Sequence, residues 1–125
     1  MTLFEHQFKI LHDEYPGATY RQLPSGAYFV TIPNVQLPEQ WSKPATTISF
    51  IAPVGYPFGK PDCFWADPDL RLRSGAMPQS ANLNRVPEVN EQRLWFSWHA
   101  TQWNPNRDSL ATYVHVIGER LRRRQ

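Results

Sequence analysis

With 125 residues, 41% of them hydrophobic and 14% aromatic, the chain is long enough to bury one core without disulfide staples. Its 12 prolines exclude a helical bundle, because proline removes a backbone donor and breaks helices, and they point to short strands and ordered loops. The formal net charge is only +2, with much of the excess in Arg120, Arg122, Arg123 and Arg124.

A single cysteine, Cys63, excludes an internal disulfide and points to a reducing compartment. No stretch reads as a signal peptide or reaches transmembrane length, so the expectation is a cytoplasmic protein with no membrane partner.

A first helix is expected over residues 3–15, where Phe4, Phe8, Leu11 and Tyr15 recur on one helical face. Thr2 and Glu5 form a candidate capping box, and Pro16 with Gly17 stops the helix. Strands are expected over 19–23, 27–32 and 46–52, followed by a short one at 63–65. Together they make an antiparallel meander of about four strands. Residues 33–38 read as an irregular connection, and 73–92, poor in apolar residues, as a long surface loop. A last helix should begin near Asn106 or Asp108, either of which can cap it, with Leu110, Tyr113 or Val114, Ile117 and Leu121 as its buried stripe. The whole chain, 1–125, reads as one α+β domain.

Residues 94–110 concentrate three tryptophans around Ser97 and His99. In an extended chain Leu94, Phe96 and Trp98 share one side, while Trp95, Ser97 and His99 share the other. Trp98 and Trp103 are read as core. Trp95, on the polar side, is read as a partner contact.

The order of these elements, with the turn Pro53, Tyr56, Pro57, Pro61 and the later Trp103-x-Pro105, resembles the core of ubiquitin-conjugating enzymes over nearly the whole chain. Pro61, Asp62, Phe64 and Trp65, followed by Trp98, His99, Trp103, Pro105, Asp108, Leu110 and Thr112, are similar to a bacterial branch, prokaryotic family E. The resemblance implies a UBC-like fold with an N-terminal helix, a meander, a long active-site loop and a C-terminal helix. It also implies a place in a bacterial ubiquitin-like modification pathway. The partners would be a ubiquitin-like protein and a separate adenylating activating enzyme, docked in part by the first helix.

The superfamily's catalytic cysteine is missing, and Ser97 falls near its place. Cys63 lies elsewhere, where a small buried hydrophobe is the usual reading. The superfamily's His-Pro-Asn is replaced by Asp67-Pro68-Asp69, and an ionised Asp69 can only accept hydrogen bonds, so it cannot stabilise an oxyanion.

Two readings of Ser97 and His99 follow. In one, Ser97 accepts the modifier as an oxyester and His99 is its base or orienting group, since serine needs a base within hydrogen-bond reach; the chain is then a transferase with a non-cysteine active site. In the other, both residues are a solvated strand edge and the chain is an inert scaffold that binds the modifier or the activating enzyme. No metal site and no cofactor are expected: His6 and His12 read as surface residues, His115 as a satisfied helix histidine, and no glycine-rich phosphate loop occurs. The arginine run reads as a solvated helix end rather than a nucleic-acid surface.

Overall fold

The Thr2 hydroxyl accepts the Glu5 N–H at 3.1 Å, and the Glu5 carboxylate accepts the Thr2 N–H at 2.9 Å. This reciprocal cap satisfies two donors that a helix start leaves open and sets the beginning of α1, Leu3–Glu14. The computed structural model describes residues 1–124. After α1 come β1 (Thr19–Gln22), β2 (Tyr28–Gln36), β3 (Ala45–Ala52), β4 (Phe64–Ala66), β5 (Ala81–Arg85), β6 (Gln92–Phe96) and α2 (Leu110–Arg122).

The strands form one sheet in the order β1-β2-β3-β4-β6-β5, antiparallel throughout. The helices share one face of it. Phe4, Phe8 and Leu11 of α1 and Tyr113, Val114 and Ile117 of α2 pack with Val30, Ile32, Ile48, Phe50, Phe64 and Phe96 in one buried cluster. Burying each such side chain stabilises the fold by about 1.5–3 kcal/mol relative to exposure.

The other sheet face carries a second cluster of Leu23, Ala27, Phe29, Trp65 and Val86, with Trp95 packed against it. Ser25, in the β1 to β2 turn, donates from its N–H and its hydroxyl to the Glu88 carboxylate, each at 2.8 Å. Glu88 lies in the β5 to β6 turn. Hairpins from opposite edges of the sheet therefore meet, so the sheet curls over this second cluster.

The α+β architecture is the expected one, with six strands rather than about four. The expected loop 73–92 contains β5, a polar edge strand that pairs with β6 from Ala81 opposite Phe96 to Arg85 opposite Gln92. The expected connection 33–38 is partly strand: β2 runs on to Gln36 through an irregularity between Ile32 and Val35, where Asn34 takes a φ of 57°. The cap of α2 is Ser109, not Asn106 or Asp108. The Asp108 carboxylate is already engaged by the Asn104 N–H at 2.7 Å, which leaves Ser109 to pair with Thr112.

Three side-chain expectations are corrected. Trp95 is half-buried against the second cluster, so its side of the sheet is apolar there rather than polar. His115 is exposed on α2. Arg120 is not part of a solvated tail: it is 2% exposed, with its guanidinium 5.0 Å from the Phe96 ring centroid and donating to the Gln79 carbonyl at 2.6 Å.

Candidate functional site

The site grows out of the β4 and β6 pair. Phe64 lies opposite Phe96, and Trp65 opposite Trp95. Phe64 and Phe96 stack at 4.6 Å between centroids on the helix side, and the two tryptophans turn to the other face. Cys63 and Ser97 lie one step beyond the ends of these two strands.

Beyond this pair the backbone is pinned from beneath. The Cys63 N–H donates to the Trp98 carbonyl at 3.1 Å. The buried Tyr113 hydroxyl reaches the carbonyls of Cys63 at 2.8 Å and Trp98 at 3.2 Å. Cys63 takes a φ of 64°, a left-handed conformation that costs a non-glycine residue about 1–3 kcal/mol and persists where its surroundings enforce it. Trp98 is anchored as well, its indole donating to the Val116 carbonyl at 3.2 Å. Trp103 donates to the Pro57 carbonyl at 2.7 Å, joining the approach to α2 to the Tyr-Pro turn. Both tryptophans are half-buried against the main core.

Above this platform the Asp62 carboxylate meets Nδ1 of His99. The contact turns Nδ1 toward the carboxylate and leaves Nε2 outside it, the arrangement of an imidazole oriented by a third group. The two side chains are 56% and 51% exposed, so reactants reach them freely. Donor atoms of Asp62, Cys63 and His99 all lie within 4.8 Å of one another. Burial, and then the Asp62 charge, hold the Cys63 thiol above its ordinary pKa, so it is protonated at neutral pH and is not by itself an activated nucleophile.

Ser97 is half-buried, and its N–H donates to the Ser80 carbonyl at 2.8 Å. Among the described residues no hydrogen bond joins Ser97 to His99; the partner of His99 is Asp62. Cys63, expected as a small core residue, is instead half-exposed beside Asp62 and His99. Asp69 is 73% exposed and, with Asp67, ion-paired to Lys43. That pairing ties the end of β4 to the segment before β3.

The sequence pattern does not single out Asp62 as the partner of His99. The signal was the Pro-Asp-x-Phe-Trp motif, whose acidic member faces the histidine of the Trp-His pair.

An N-terminal helix, an antiparallel sheet and a C-terminal helix, with the Tyr-Pro turn joined to Trp103, define a UBC-like protein. The family model of prokaryotic E2 family E matches residues 9–124, and the chain belongs to that family. No curated protein and no solved structure matches it. No helix among the described residues is long and apolar enough to cross a membrane.

Proposed function

We propose that the chain is a cytoplasmic, conjugating-enzyme-like carrier that takes a ubiquitin-like protein from an adenylating activating enzyme and holds it as an oxyester on Ser97. The Ser97 oxygen attacks the activated C-terminal carbonyl of the modifier while His99 Nε2 takes the hydroxyl proton. The leaving group departs from the same carbonyl, and the proton passes from His99 to it or to solvent. Asp62 holds the imidazole in the tautomer this step requires.

The observation that supports this reading is the Asp62 and His99 pair, with His99 two positions along the chain from Ser97, in a chain of this family. Loading by the cognate activating enzyme, modifier and ATP tests it. Ser97→Ala should abolish the adduct, and His99→Ala should slow its formation by about a hundredfold or more. A reductant-labile adduct that disappears in Cys63→Ser would instead move the acceptor to Cys63.

A second reading is an inert scaffold that binds the modifier or the activating enzyme. The observation favouring it is the Ser97 backbone fixed to Ser80 without a Ser97 to His99 hydrogen bond. Complex formation with no adduct under any of these conditions would select it.

A further inference from the structure

We propose that Asp62, Cys63 and His99 form a zinc-binding site. The three residues come from two separate places in the chain, and their carboxylate oxygen, thiol sulfur and imidazole nitrogen all lie within 4.8 Å of one another. Tetrahedral zinc, with bonds of about 2.0–2.3 Å, needs its ligand atoms roughly 3.3–3.8 Å apart. The approach is thus close to what coordination requires, and the exposed Asp62 and His99 side chains have room to open around an ion.

The donor set selects the metal. Magnesium and calcium take oxygen ligands, whereas a thiolate with an imidazole and a carboxylate suits zinc. Thiolate and carboxylate together balance the two positive charges of the ion. When the ion binds, a sulfur to zinc bond forms and the thiol proton leaves to solvent. Three protein ligands on an open surface leave the fourth position to water, as in zinc sites that act on a substrate rather than staple a fold.

The scaffold suits a site of this kind. Cys63 and Trp98, the residue preceding His99, are joined to each other at 3.1 Å and to Tyr113 beneath them, so the backbone of Cys63 and the approach to His99 are held in register before any ion arrives.

This inference goes beyond the carrier reading and shares only Asp62 and His99 with it; its test uses neither modifier nor activating enzyme. Protein freed of metal with a chelator and kept reduced is titrated with zinc by calorimetry, and with cobalt by absorption. The expected result is one ion per chain, a thiolate-to-cobalt charge-transfer band that is absent in Cys63→Ser, and affinity lowered at least about tenfold by Asp62→Asn and by His99→Ala. The last two substitutions are at exposed positions, and circular dichroism confirms that each variant is folded. No saturable binding at micromolar zinc, or binding unchanged in all three variants, overturns the proposal.

Discussion

The Tyr113 hydroxyl of α2 donates to the Cys63 carbonyl at 2.8 Å, which fastens the last helix to the turn that carries Asp62 and Cys63. Tyr113 is fully buried, so its phenol is committed to this contact and to the Trp98 carbonyl. Tyr113→Phe keeps the ring and deletes the donor. It should destabilise the fold by about 1–3 kcal/mol, because a buried acceptor is left underbonded. Urea unfolding should show a lower midpoint with an unchanged slope.

Burial holds the Tyr113 and Tyr56 hydroxyls above their ordinary pKa. Unfolded tyrosine ionises near pH ~10. Above that pH the unfolded chain has lost protons that the folded chain still binds, so stability falls as pH rises and is fully present below it. Unfolding free energies between pH 9 and pH 11 should therefore decline, and the decline should be shallower in Tyr113→Phe, which retains only one of the two phenols.

Arg120 places a guanidinium among Trp41, Phe96 and Trp98, at 5.9, 5.0 and 5.8 Å from their ring centroids. Its stem packs, and its head bonds the Gln79 carbonyl. Arg120→Ala should cost about 2–3 kcal/mol through lost packing and an abandoned carbonyl, whereas Arg124→Ala, at an exposed position, should fall within about 0.5 kcal/mol of the parent. Thermal unfolding of the two variants separates a structural arginine from a surface one.

The cap of α2 offers a comparison of the same kind. Ser109→Ala removes the acceptor of the Thr112 N–H and should cost about 1 kcal/mol. Asn106→Ala, which the sequence makes equally eligible as a cap, should cost clearly less in the same denaturation assay.

These contrasts show what the sequence made legible. The stripe Phe4, Phe8, Leu11 and the Thr2 and Glu5 box are local patterns, and α1 is found where they predict. Leu94 and Phe96 alternate as expected and are fully buried. Strand β5, Ala-Asn-Leu-Asn-Arg, has almost no apolar face; it exists because β6 offers it an open edge, which no local pattern reveals. The expected α2 caps, Asn106 or Asp108, give way to Ser109, because the Asp108 carboxylate is engaged by the Asn104 N–H and Ser109 pairs reciprocally with Thr112. Asp62 and His99 lie 37 positions apart, so their meeting depends on the pairing of β4 with β6 and on Tyr113 beneath it. Spacing rules for metal or catalytic clusters do not reach across such a separation.

Whether the UBC-like site carries a modifier on Ser97 is the central question for this protein. Intact-mass and peptide-mapping mass spectrometry, after incubation with the cognate activating enzyme, ubiquitin-like protein and ATP, addresses this most directly. The predicted result is a one-to-one adduct that survives thiol reductant, maps to Ser97 and is absent from Ser97→Ala. An unmodified mass under conditions where the complex forms, or an adduct mapped to any other residue, would contradict it.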